Sequence, residues 1–112
     1  MKTPQAVKAL AALAQDTRLA IYRLLVQRGP VGLSAGTIAE RLALPGATLS
    51  FHLKELANAG MVESRQDGRF VYYSANYEQM NGLLSYLTEN CCQDESCTPA
   101  CVPTRQLGRK RA

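Results

Sequence analysis

No cysteine stands before position 91, histidine occurs once, as His52, and no apolar run is long enough to cross a bilayer. A lone histidine is no metal site, so thiols after residue 90 are the soft donors this chain can offer. No C-x-x-C pair occurs, and no basic residue stands immediately beside a cysteine to lower its pKa, which argues against a small thiol enzyme. The opening MKTPQAVKALAALAQD is broken by Lys8 and Asp16 and has neither a secretory core nor a cleavage pattern. These absences point to a cytoplasmic protein with no membrane partner. In a reducing compartment the four cysteines, all between Cys91 and Cys101, are ligands or sensing thiols rather than structural disulfides. No internal repeat or second domain is visible. At 112 residues the chain is one domain, of a size at which a partner chain would help.

Thirteen Lys and Arg against nine Asp and Glu give a net charge of +4, which suits a polyanionic partner without requiring one. The stretch with most to say is Pro45 to Gly60, PGATLSFHLKELANAG. Leu49, Leu53 and Leu56 form one narrow apolar stripe at helical spacing, ended by Asn58 and Gly60. The opposite face carries Ala47, Thr48, Ser50, Phe51, Lys54, Glu55 and Asn58, with Phe51 near its centre. A phenylalanine turned away from the core is unusual on a solvated helix, whereas an apolar side chain there can meet a thymine methyl in the DNA major groove.

Upstream, Val7, Leu10 and Leu13/Ala14 make a stripe too thin to stand alone. Asp16-Thr17 can cap a central core helix containing Leu19, Ile21, Tyr22, Leu24, Leu25 and Val26, which Gly29-Pro30 ends. Ser34 can cap a third helix through Leu42, and Leu44-Pro45-Gly46 turns into the presented helix, a helix-turn-helix pattern. Met61 to Gln66 and Arg69 to Ala75 flank Asp67-Gly68, a two-residue hairpin signal. A last helix with Tyr77, Met80, Leu83, Leu84 and Leu87 is expected to be largely buried. Residues 1–90 are thus expected to form one DNA-binding and dimerisation domain, and 91–112 a cysteine-containing, partly disordered basic tail.

Four segments in order resemble one family: Leu13-Ala14-Gln15-Asp16-Thr17-Arg18-Leu19-Ala20-Ile21, Ser50-Phe51-His52-Leu53-Lys54-Glu55-Leu56, Ala59-Gly60-Met61-Val62 and Asp67-Gly68-Arg69-Phe70-Val71-Tyr72-Tyr73. They are similar to the ArsR/SmtB winged-helix metalloregulatory repressors over roughly residues 6 to 90. The resemblance implies a mostly α fold with a β-hairpin wing and a homodimer formed by the first and last helices. It also implies binding to double-stranded operator DNA and release when a metal or metalloid binds. The cysteine box that many members carry before their presented helix is absent from Leu33 to Ala39, and Tyr77 to Asn90 lacks the His and Asp of the zinc sensors. Cys91-Cys92 followed by Cys97 looks like the arsenite-responsive subgroup, with As(III) or Sb(III) as inducer.

The expected DNA-contacting set is Ala47, Thr48, Ser50, Phe51, His52 and Lys54 on the helix, with Arg65 and Arg69 on the wing. His52 lies on the flank of the apolar stripe, so a bond to a neighbouring helix competes with DNA contact there. Lys54 is a phosphate contact or a solvated lysine, and Arg65 and Arg69 are wing contacts or a solvated tip. Arg105, Arg109, Lys110 and Arg111 can reach DNA or stay solvated.

For the cysteines, gaps of zero, four and three residues fit a zinc knot poorly. A direct Cys91–Cys92 disulfide is uncomfortable, because adjacent Cα atoms lie about 3.8 Å apart, under the usual range of roughly 4.4–6.8 Å. Either could pair with Cys97 or Cys101, which keeps a thiol redox-sensing repressor as the alternative. Trivalent arsenic takes three sulfurs, which Cys91, Cys92 and Cys97 can supply, with Cys101 the spare ligand. If Cys91 and Cys92 belong to the last helical turn, their sulfurs diverge by about 100°, and capture of one ion must bend or unwind the helix end.

Overall fold

The computed structural model describes residues 1–93. Five helices and a small antiparallel sheet follow one another: α1 (Thr3–Leu13), α2 (Asp16–Arg28), β1 (Leu33–Ser34), α3 (Ala35–Leu42), α4 (Gly46–Asn58), β2 (Val62–Asp67), β3 (Phe70–Ala75) and α5 (Tyr77–Thr88). The sheet order is β1-β3-β2. This is the winged helix-turn-helix arrangement that the sequence led us to expect. Among the described residues no helix is long and apolar enough to cross a membrane.

The core gathers around α2, whose Ile21, Tyr22 and Leu25 are buried against Ile38 of α3, Leu49, Leu53 and Leu56 of α4, and Met61. The cap lies one residue before the expected Asp16-Thr17: Gln15 is the N-cap, and its side chain accepts from the Arg18 N–H at 2.8 Å. Gln15 carries its acceptor oxygen into the same geometry that a shorter Asp16 or Thr17 cap would use. Ser34 caps α3 as expected, accepting from the Thr37 N–H.

On α1 the buried face is Ala6, Ala9 and Ala12, while Val7 and Leu10 face outward. Of the expected apolar stripe, Val7 and Leu10 therefore point away from this subunit's core, while Leu13 packs partly against it. Small side chains at three-residue spacing let α1 lie close on the domain, leaving the larger ones for another surface. The last helix behaves the same way: Leu83 is buried, but Leu84 and Leu87 are exposed, against the expectation of a largely buried helix. One stripe of α5 satisfies the core of a single chain, and the other is left uncovered among the described residues.

Two strand features differ from the sequence reading. The hairpin loop is Gly68-Arg69 rather than Asp67-Gly68, because Asp67 is already paired with Phe70. Gly68 takes φ +66 at the first loop position, the place where a type II′ turn requires glycine. The two-residue strand β1, unforeseen in the sequence, pairs Leu33 with Tyr73 and Ser34 with Tyr72. Gly32 makes that approach possible: at φ +77, a Cβ there would lie 2.4 Å from the Tyr73 carbonyl oxygen.

Two substitutions test this packing by urea denaturation. Gly32→Ala should lower stability by roughly 2–4 kcal/mol, since strain at positive φ adds to a backbone clash. The Tyr22 hydroxyl is buried with no hydrogen-bond partner among the described residues, and burial pushes its pKa above the ordinary value, with nearby Tyr77 adding to the shift. Tyr22→Phe should therefore stabilise the fold by about 1 kcal/mol, because it removes an unsatisfied buried group and keeps the ring.

Candidate DNA interface and cysteine pair

The α3–α4 turn is tight. Ala43 adopts φ +53, a left-handed conformation costing an alanine roughly 1–2 kcal/mol, and its N–H and that of Leu44 return to the last carbonyls of α3. Pro45 then starts α4 with no side-chain cap on its first amides, so the opening turn presents free N–H donors beside Ala47 and Thr48.

From there the helix divides cleanly. Leu49, Leu53 and Leu56 are buried, whereas Ala47, Thr48, Ser50, Phe51 and Lys54 are exposed. Phe51 is 57% exposed at the centre of the outer face, touching the fold through an edge-on contact of its ring with His52, centroids 5.4 Å apart. His52 itself turns inward and is only 9% exposed. Its Nδ1 lies 3.4 Å from Nη1 of Arg18, and since a guanidinium can only donate, Nδ1 accepts. Arg18 also donates through Nε to the Ala12 carbonyl at 2.7 Å. The geometry around His52 is thus that of an interhelical bond rather than of the outer face. Arg18, which in the sequence stands only within the first of the family-like segments with no role of its own, joins α1, α2 and α4.

The far end of α4 is held as firmly. Gly60 at φ +79 closes a Schellman motif, with Met61 N–H on the Leu56 carbonyl and Gly60 N–H on that of Ala57. Asn76 and Gln79, at the start of α5, donate to the Gly60 and Ala59 carbonyls at 3.0 and 3.3 Å. Arg65 and Arg69 of the wing are exposed, and the Arg65 guanidinium stacks over the Tyr72 ring, 5.0 Å from its centroid.

Val7, Leu10, Leu84 and Leu87 leave apolar side chains of α1 and α5 exposed. Leu84 also lines an open groove of about 440 Å³, together with Leu13, Leu19, Met80 and Leu83 among others.

The cysteines are placed otherwise than expected. α5 ends at Thr88, so Cys91 and Cys92 lie beyond the helix in a turn in which Asn90 and Cys92 both have φ near +60. Cys91 N–H closes onto the Thr88 carbonyl and Gln93 N–H onto that of Asn90. The two sulfurs lie 3.5 Å apart instead of diverging, Cys91 as a free thiol and Cys92 as a disulfide-bonded sulfur. The reason is the backbone: left-handed residues on either side of Cys91 break the helical progression that would have separated the side chains. Among the described residues no group of three or more His, Cys, Asp or Glu could hold a metal ion. Cys97, Cys101 and the basic residues Arg105, Arg109, Lys110 and Arg111 lie outside the described residues.

A family model described as a helix-turn-helix domain matches residues 13–65. The arsenical resistance operon repressor of Bacillus subtilis (strain 168) is 38% identical over 81 residues, covering 72% of this chain and 73% of that protein. Among solved structures, an ArsR-like transcriptional regulator from Rhodococcus sp. RHA1 superimposes with a TM-score of 0.67 at 31% identity, over 75% of this chain and 76% of that one. The homodimeric winged helix-turn-helix DNA-binding domain of a possible ArsR-family regulator from Mycobacterium bovis gives 0.63 at 26% identity, over 85% and 88%. With its helix-turn-helix, its hairpin wing and these relatives, the chain belongs to the ArsR/SmtB family of winged-helix transcriptional regulators.

Proposed function

We propose that this regulator is a homodimeric repressor of an arsenic-resistance operon, released from its operator when arsenite or antimonite binds Cys91, Cys92 and Cys97. The observation that carries the reading is the placement of the Cys91 and Cys92 sulfurs 3.5 Å apart, just past a helix whose Leu84 and Leu87 are exposed; Cys92 is disulfide-bonded in this structure, so arsenite binding requires that bond to be reduced first. Similarity to an arsenical resistance operon repressor supports it. In the reduced protein three thiols displace the three hydroxyls of arsenous acid as three waters, with no change of oxidation state. Cys101 is the spare. Because the two sulfurs already lie together beyond the end of α5, capture need not unwind the helix.

The dimer face is the outer stripe of α1 and α5, Val7, Leu10, Leu84 and Leu87, and homodimerisation of a similar winged helix supports this. Two copies then offer their α4 helices to successive major grooves about 34 Å apart. Ala47, Thr48, Ser50 and Phe51 meet the groove, Lys54 meets phosphate, and Arg65 and Arg69 meet the flanking duplex. His52 supports α4 from behind. Release requires only that arsenic bind the DNA-free shape better; a coupling of about 1–3 kcal/mol lowers operator affinity roughly 5- to 150-fold.

On the DNA side, Phe51→Ala should cost about 1 kcal/mol of affinity, mainly at one base pair, while Lys54→Ala weakens all sequences alike and lowers the salt slope by about 1. Neither should shift the urea midpoint, whereas Leu53→Ala, from the buried stripe, should lose about 2–5 kcal/mol of stability.

On the inducer side, Cys91→Ser, Cys92→Ser and Cys97→Ser should each leave operator binding intact and abolish release by arsenite, with Cys101→Ser nearly silent. Mobility shifts under reducing conditions, beside thiolate-to-arsenic absorbance, give the readout. A Cys91→Ser/Cys92→Ser protein that still leaves DNA with arsenite would overturn the assignment. A wild-type protein that answers peroxide but not arsenite would replace it with thiol redox sensing.

A further inference from the structure

This chain has two phenylalanines and buries neither: Phe51 and Phe70 are each 57% exposed. Phe51 is accounted for by the outer face of α4. Phe70 is not. It opens β3 beside the Gly68-Arg69 loop, and the strand register shows what shares its side of the hairpin. Cross-strand partners project to the same face, so one face carries Val62, Ser64, Gln66, Val71, Tyr73 and Ala75, with Val62, Tyr73 and Ala75 packed in or against the core. The other face, turned outward, carries Glu63 and Ser74 at its base, Arg65 and Tyr72 in the middle, and Asp67 across from Phe70 at the tip. On it, Arg65 is already held over Tyr72. Among the described residues this large ring at the tip of the hairpin stays more than half exposed, with exposed Val71 next in the strand, and diagonal to it stands the Arg65 guanidinium held over Tyr72.

We propose that Phe70 is a specificity-determining wedge: it enters the minor groove beside the site read by α4 and partly unstacks one base step, while Arg65 and Arg69 contact the flanking backbone or groove floor. The proposal rests on the duplex-binding dimer described above. Apolar side chains that open a base step exact an unstacking cost, least at flexible pyrimidine–purine steps, so selectivity arises at a position with no hydrogen-bonded base contact. Asp67 sharpens it. A carboxylate beside the wedge disfavours phosphate there and cannot accept from A·T edges, which present only acceptors in this groove, but it can accept from the guanine amino group. The favoured step is therefore CA/TG.

In vitro selection from a random duplex library with the full-length protein tests this, run in parallel for wild type, Phe70→Ala and Phe70→Leu. Wild type should recover an inner motif flanked at fixed distance on each side by a CA/TG step. Phe70→Ala should keep the inner motif, lose the flanking preference and bind the wild-type site roughly tenfold more weakly; Phe70→Leu should retain the preference. 2-Aminopurine placed at the flanking step should brighten on binding wild type and not Phe70→Ala. Identical selected sites for wild type and Phe70→Ala, or equal weakening on every sequence, would overturn the wedge. So would a Phe70→Ala protein that melts earlier or sediments as a monomer, since the ring would then serve folding or dimerisation. Failure of wild type to select any sequence would instead overturn the DNA-binding reading beneath it.

Discussion

An exposed, chemically informative helix face is useful only if the rest of the helix cannot move, and in this domain every helix but α3 contributes polar bonds that hold α4. Its buried leucines set its depth, but leucines alone permit rotation and sliding. Orientation comes from directed bonds. Arg18 grips His52 from α2 while its Nε takes a carbonyl of α1, and Asn76 and Gln79 take the carbonyls just past the C-terminal end of α4 from the first turn of α5. These are groups that a helix end or a buried imidazole would otherwise leave unsatisfied, so the bonds that satisfy them also specify one geometry. The helices carrying the uncovered apolar stripes, α1 and α5, are thereby coupled to the helix that presents Phe51 and Lys54.

The division of apolar residues follows from the same economy of a small chain. A single subunit of this size buries a core but has little to spare, and it spends alanines where α1 meets the body. Larger side chains are set outward on α1 and α5, and both phenylalanines outward on α4 and the wing. Exposed rings and leucines scattered singly would mean nothing; here they fall on the two surfaces that the proposed function assigns to a second copy and to a duplex.

The cysteine turn shows how a local backbone choice changes chemistry. In a continuous helix the neighbouring sulfurs of Cys91 and Cys92 would point apart. Ending α5 at Thr88 and placing Asn90 and Cys92 in the left-handed region brings them within 3.5 Å. Asparagine is among the few residues that tolerate that region without glycine, which makes Asn90 a natural place for the helix to give way.

The sequence alone was enough for the helix-turn-helix, the stripe of Leu49, Leu53 and Leu56, the outward Phe51, the hairpin and the Ser34 cap. Each depends on periodicities and turn chemistry that act over a few residues and need no knowledge of what packs above them. Tertiary structure decided the rest. Whether Val7 and Leu10 or Ala6, Ala9 and Ala12 faced the core was a choice between two helical stripes, made by how closely α1 can approach α2 and α4. The one-residue placement of the hairpin loop, and the strand Leu33-Ser34, were settled by pairing with β3 across a gap that only Gly32 leaves open. His52 stood on the border between two faces, and its side was decided by Arg18, thirty-four positions away in the chain. Local pattern cannot see a partner at that separation, because nothing in the spacing of residues near His52 encodes where the guanidinium will be.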